Sequence, residues 1–166
     1  DNIPLEAIIP HINQQAYNDF ITRWNQSSKK MVLVGVLAPN SIEKAIVEHL
    51  ANDPSVLVLT ETTSNLYHPN FVPYIAESFV GMIDTFLSPI QKRNLQELLQ
   101  PDVLISIGGM VVSKKIKQFL RTYQPQYHYN IDLYKAYDSY YCLTHSFPIT
   151  VNQFFAQATQ QLLQVP

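Results

Sequence analysis

Lys114 and Lys115 are the side chains in this sequence with the most to explain. They follow a short apolar run, Val103, Leu104, Ile105 and Ile107, and then a glycine pair, Gly108-Gly109. Beyond them Ile116, Phe119, Leu120 and Tyr123, together with Val112, recur at helical spacing. Residues 101–123 thus read as a strand buried on both faces, a turn, and a helix that packs back onto the sheet with Ser113 as its N-cap. The lysine pair falls in the first helical turn, where the macrodipole is already positive and disfavours each cation by roughly 0.3–1 kcal/mol. Backbone N–H groups at a helix start favour an anion instead. Two readings stay open: a solvated polar face continuing through Lys117 and Arg121, or an anion site built from the pair and the helix start.

Other side chains with chemical capacity are sparse. Thr60-Glu61-Thr62-Thr63-Ser64-Asn65 sets hydroxyls at the end of another apolar run, as turn formers or as ligand contacts. The single cysteine, Cys142, cannot form an internal disulfide and fits a reducing compartment; it sits in a Tyr-rich apolar context that suits packing better than nucleophilic chemistry. His11, His49, His68, His128 and His145 are scattered, without metal-ligand spacing. There are only four glycines, and no G-x-G-x-x-G, P-loop, G-x-S-x-G, H-E-x-x-H or C-x-x-C. A formal charge of -2 argues against a nucleic-acid backbone as partner, and no run of eighteen apolar residues predicts a membrane span. No complete set of acid, base and nucleophile emerges, so this stretch of chain does not read as a catalyst by itself.

The elements that must position these residues follow from periodicity. Asn13 caps a helix running to about Trp24, with Tyr17, Phe20, Ile21 and Trp24 on one face. Residues 31–37 (MVLVGVL) and 56–59 (VLVL) are buried strands. Between them Asn40 and Glu43 have the form of a capping box for a helix over 41–51. Residues 79–87 suit a helix or a short strand equally. Ser88-Pro89-Ile90-Gln91 starts a helix reaching residue 100, with cap, N1 proline and capping-box glutamine. Residues 127–132 and 140–145 read as two more strands, and Thr150 with Gln153 caps a final helix. The alternation predicts an α/β fold: a doubly wound, mostly parallel sheet of five to six strands covered on both faces. The chain length suits one domain. Residues 1–30 read as a proline-punctuated linker and leading helix, and residues 31–166 as a single domain cut from a longer chain.

The run PDVLISIGGMVVSKKIKQFLR, then YHYNID, a Tyr/Asp-containing linker and a final helix, with ETTSNL and HPNF upstream, resembles a known family. It is similar to the Rossmann-like central domain of the MenD family, the 2-succinyl-5-enolpyruvyl-6-hydroxy-3-cyclohexene-1-carboxylate synthases of menaquinone biosynthesis. The resemblance implies a three-domain carboligase that joins decarboxylated 2-oxoglutarate to isochorismate, using thiamine diphosphate and Mg²⁺ or Mn²⁺. It places that cofactor and metal in flanking N- and C-terminal domains, with none bound by this fragment and no catalytic residue in it. It implies a cytoplasmic enzyme, homo-oligomeric at full length, whose isolated central domain is inactive. On the same basis Lys114 matches a family lysine, and Lys115 stands where some members carry arginine, both reaching toward an isochorismate carboxylate. Lysine at 115 keeps the charge but lacks the planar fork of arginine. Ser113, Gly109, Thr63, Ser64 and Asn65 are candidate lining residues. Two rivals remain: a free-standing nucleotide- or cofactor-binding domain of Rossmann-like fold, and a non-enzymatic interaction module that docks through the loop at 67–75.

Overall fold

A computed structural model of the protein describes residues 12–73, 87–134 and 136–165. The segments 1–10 and 79–86, the latter expected as helix or strand, lie outside those residues. Five strands, β1 (Lys30–Val34), β2 (Val56–Leu59), β3 (Val103–Ile107), β4 (Tyr127–Ile131) and β5 (Leu143–Phe147), form one sheet in the order β2-β1-β3-β4-β5. Every neighbouring pair is parallel. The helices are α1 (Gln14–Gln26), α2 (Lys44–Ala51), α3 (Pro89–Leu99), α4 (Lys114–Thr122) and α5 (Val151–Ala158).

Both sheet faces are covered, which is why the central strands are apolar without alternation. One face buries Val32, Val34, Ile105, Ile107, Tyr129 and Ile131 against Tyr17, Phe20 and Trp24 of α1 and Phe154 and Phe155 of α5. Phe20 anchors this side, meeting Tyr129 and Phe154 edge-on at centroid distances of 5.0 and 5.3 Å. The opposite face sets Met31, Leu33 and Leu104 against Ile116, Phe119 and Leu120 of α4. Polar residues break the second face toward its far edge. Ser106 pairs in register with Asn130, and Leu104 with His128, so Ser106, His128 and Asn130 share the α4 side of the sheet.

Local signals for helix starts hold where the cap is close in sequence. Asn13, Ser88, Ser113 and Thr150 each accept a hydrogen bond from a first-turn N–H. The Asn40–Glu43 capping box does not form. Asn40 adopts a left-handed φ of 56°, and α2 begins at Lys44 rather than at Ser41. The cause is tertiary: Asn152 of α5 accepts from the Glu43 N–H (2.9 Å) and donates to the Ser41 carbonyl (3.0 Å), holding this segment extended. The last strand also lies later than expected, at Leu143–Phe147 instead of 140–145. Asp138 accepts from the N–H groups of Cys142 and Leu143, and this pins Tyr140 and Tyr141 in the preceding turn. Val112, expected on the buried face of α4, precedes that helix and is exposed.

Candidate functional site

Ligands of open α/β sheets lie outside the carboxyl ends of the strands, where the strand order reverses. Here that reversal lies between β1 and β3. It is closed by backbone. The Gly35 N–H donates to the Ile107 carbonyl (2.9 Å) and the Gly109 N–H to the Val36 carbonyl (2.8 Å). A Cβ on Gly35 would stand 2.0 Å from the Gly109 carbonyl oxygen, and Gly108, at φ +79°, turns the chain so that this contact can form. A pyrophosphate needs free N–H groups and a gap at this point, and the seam supplies neither. Gly109, a candidate lining residue, therefore has its N–H engaged in the seam.

The 60–65 loop braces the same rim. Ser64 is fully buried; its hydroxyl donates to the Val34 carbonyl (2.8 Å) and accepts from the Glu61 N–H (2.9 Å). The Asn65 amide donates to the Leu37 carbonyl (2.7 Å), with its own backbone left-handed at φ 48°. The exposed Thr63 accepts the Leu37 N–H through its carbonyl (3.1 Å). Of the three hydroxyl and amide candidates, Ser64 and Asn65 thus tie β1 to the loop, and Thr63 keeps an outward side chain.

Glu61 is the residue that sequence reasoning passed over. Its two carboxylate oxygens accept the N–H groups of Val112 (2.9 Å) and Ser113 (2.8 Å), immediately ahead of α4. The anion that this helix start attracts is therefore supplied from within the chain, 51 residues upstream of Val112. Lys114 and Lys115 follow, both exposed on the carboxyl rim of the sheet. The Glu61 carboxylate compensates the helix dipole that their charges oppose. The first two N–H groups beside the lysines are therefore taken.

Between β3–β4 and the turn after β4 lies a cavity of about 500 Å³. Ser106, His128 and Asn130 line it, together with Lys117, Tyr137 and Tyr140. His128 is 1 % exposed and its Nε2 lies 2.6 Å from the Ser106 hydroxyl. The Asn130 amide nitrogen donates to the Ser106 hydroxyl (3.0 Å) and carbonyl (3.3 Å). His128 Nδ1 and Asn130 Oδ1, both buried, have no hydrogen-bond partner. Burial drives the His128 pKa down to about 4 against an opposing pull from Asp138, so the ring is neutral near pH 7. Nearby, burial raises Tyr140 to about 12 and Cys142 to about 11, which leaves the cysteine a protonated thiol and a poor nucleophile. Among the described residues no cluster of His, Cys, Asp or Glu could hold a metal ion, and no helix is long and apolar enough to cross a membrane.

Comparison with known proteins adds an independent line. The family model for the middle domain of thiamine pyrophosphate enzymes matches residues 6–164. A 2-succinyl-5-enolpyruvyl-6-hydroxy-3-cyclohexene-1-carboxylate synthase of Christiangramia forsetii is 48% identical over 149 residues, covering 84% of this chain and 24% of its own length. The synthase of the same name from Flavobacterium johnsoniae is 44% identical over 139 residues, 83% of this chain and 24% of its own. That from Desulfotalea psychrophila is 27% identical over 161 residues, 96% of this chain and 28% of its own. The chain spans about a quarter of the length of the curated relatives it matches.

Proposed function

The chain belongs to the family of middle domains of thiamine pyrophosphate enzymes, and on that premise we propose that it is the central domain of a 2-succinyl-5-enolpyruvyl-6-hydroxy-3-cyclohexene-1-carboxylate synthase of menaquinone biosynthesis. The observation that carries this is the likeness to synthases of that name over more than four-fifths of the chain. In this reading residues 1–30 are a linker and a leading helix, and that helix packs into the core of the central domain formed with 31–166. The parent is a cytoplasmic homo-oligomer that adds decarboxylated 2-oxoglutarate to isochorismate.

Thiamine diphosphate with Mg²⁺ or Mn²⁺, held by the flanking domains, would supply the electron sink that makes the decarboxylated 2-oxoglutarate carbon nucleophilic. The loops described above do not fit a diphosphate: the Gly109, Val112 and Ser113 N–H groups already have acceptors in Val36 and Glu61. This chain's own contribution is positional. Its rigid sheet sets the start of α4 at one rim, and Lys114, with Lys115 beside it, offers positive charge to an isochorismate carboxylate. A lysine ammonium meeting a carboxylate makes a charge-assisted hydrogen bond of about 1.5–3 kcal/mol.

The test is steady-state kinetics of the full-length enzyme carrying Lys114→Ala. The expected result is a KM for isochorismate raised roughly ten- to a hundredfold with a smaller change in kcat, and an unchanged response to 2-oxoglutarate. Normal turnover at low isochorismate would remove Lys114 from the site. Lys115→Ala is expected to act in the same direction; its ammonium keeps the charge but lacks the planar fork of the arginine that some family members carry at this position.

A further inference from the structure

Glu61 meets the start of α4 as a bound anion would. Its carboxylate accepts from two successive backbone N–H groups, those of Val112 at 2.9 Å and Ser113 at 2.8 Å. Adjacent N–H groups turned toward one acceptor, at the positive end of a helix, are the donors that a phosphate group seeks. The helix behind them, KKIKQFLRT, carries Lys114, Lys115, Lys117 and Arg121 and no acidic residue. Paired donors, helix start and cations together make an anion cradle, and Glu61 already fills it. Its backbone is fixed in place. The Glu61 N–H donates to the Ser64 hydroxyl (2.9 Å), and the Glu61 carbonyl accepts from the Ser64 N–H (3.0 Å). That hydroxyl in turn donates to the Val34 carbonyl (2.8 Å), so the carboxylate is delivered from the sheet itself.

We propose that Glu61 is a specificity-determining residue: an anion built into the chain that closes the start of α4 to phosphate groups and leaves this rim to carboxylates. A phosphate brings more negative charge than a carboxylate and three acceptor oxygens that need donors. At the start of α4 it would meet the Val112 and Ser113 N–H groups already engaged and a fixed carboxylate beside them. Its charge would be set against that of Glu61, which is discrimination by repulsion. A carboxylate that meets the exposed Lys114 needs neither N–H group, because a lysine ammonium carries three donors of its own. The rejection of phosphate follows from Glu61 and the two N–H groups alone. The acceptance of a carboxylate rests on the reading of Lys114 given above.

The experiment titrates the full-length enzyme with inorganic phosphate by isothermal calorimetry, with thiamine diphosphate and Mg²⁺ saturating so that the cofactor's own phosphate contacts are filled. The parent is expected to show no phosphate binding that depends on Lys114. Glu61→Ala frees both N–H groups and removes the charge, and is expected to bind phosphate roughly tenfold more tightly or better. Adding Lys114→Ala to that variant is expected to weaken the new binding severalfold, which locates it at the start of α4. Glu61→Gln keeps the shape of the side chain and one acceptor; a smaller gain is expected from it, and it carries the test if the alanine variant does not fold. In steady-state assays phosphate is expected to raise the apparent KM for isochorismate in Glu61→Gln and to leave the parent unaffected. If Lys114→Ala alone leaves that KM unchanged, the kinetic arm falls with the reading of Lys114, and the calorimetric arm still decides the role of Glu61. Phosphate binding unchanged in the folded variants, a gain that Lys114→Ala leaves untouched, or phosphate bound by the parent and lost on Lys114→Ala would each overturn the proposal.

Discussion

On its two sides, β3 finishes the carboxyl edge of the sheet in opposite ways. Toward β1 the strands end in glycines, and their loops press backbone against backbone with no side chain between. Toward β4 the strands carry Ser106, His128 and Asn130 on one face, beside a cavity and with two unpartnered polar atoms. The first arrangement gives up the crevice where this topology ordinarily binds ligands and gains a rigid frame. The second moves the open volume one strand over. A fold's usual binding place is thus a property of its loops, and small residues can close it.

The sharpest way to break this contrast is to force the seam open. Gly35→Ala would set a Cβ 2.0 Å from the Gly109 carbonyl oxygen, a backbone atom that can yield only if the β3 loop moves. We expect a loss of about 3 kcal/mol or more, seen as a large drop in the urea midpoint. A midpoint within experimental error of the parent would show that the loops are not in fixed contact.

The open side is tested by pH. The His128 pKa falls from 6.5 in the unfolded chain to about 4 in the folded one, because burial disfavours the charged ring. Between those values the unfolded state binds a proton that the folded state does not. Stability is therefore full above about pH 6.5 and declines as the pH falls toward 4, by about 3 kcal/mol in all. Urea midpoints measured across that window should fall less steeply in His128→Gln than in the parent. Parallel pH profiles for the two proteins would mean that the ring is solvated.

Glu61 sharpens the comparison at smaller scale, since it braces the closed side while neighbouring the lysines. Glu61→Gln keeps one acceptor and loses the charge and the second acceptor, so either Val112 or Ser113 is left with a weaker partner. The expected cost is about 1–2 kcal/mol in the urea midpoint. No loss would mean that water replaces the clamp.

How much of this could be read from the chain depends on how far apart the cooperating residues lie. Strand cores and the caps at Asn13, Ser88 and Thr150 are legible because their partners are within a few residues or within one apolar run. Asn40 and Glu43 carry an equally good local signal and fail, because Asn152 reaches Ser41 and Glu43 from a helix more than a hundred residues later. Glu61 was invisible for the same reason: nothing near it in sequence needs a carboxylate. The polar floor did leave a trace. His128 and Asn130 alternate with buried Tyr129 and Ile131 in YHYNI, and two polar residues on one face of an interior strand call for partners. Ser106 becomes that partner only through the β3–β4 register.

The 63–65 triplet gives the finest discrimination between closed and open surface. In sequence Thr63 and Ser64 are adjacent hydroxyls with equal claims to a ligand. In the fold Ser64 is buried with its hydroxyl bonded to Val34 and Glu61, while the Thr63 side chain is outside and only its carbonyl is engaged. Ser64→Ala leaves a buried carbonyl and a part-buried N–H without their partner and should cost about 1–3 kcal/mol. Thr63→Ala removes nothing the frame uses and should stay within about 0.5 kcal/mol of the parent in the same urea titration. If Thr63→Ala leaves stability intact yet weakens the isochorismate binding proposed for the full-length enzyme, its hydroxyl belongs to the substrate side of the rim. If both readouts are unchanged, the 63–65 loop serves the seam alone.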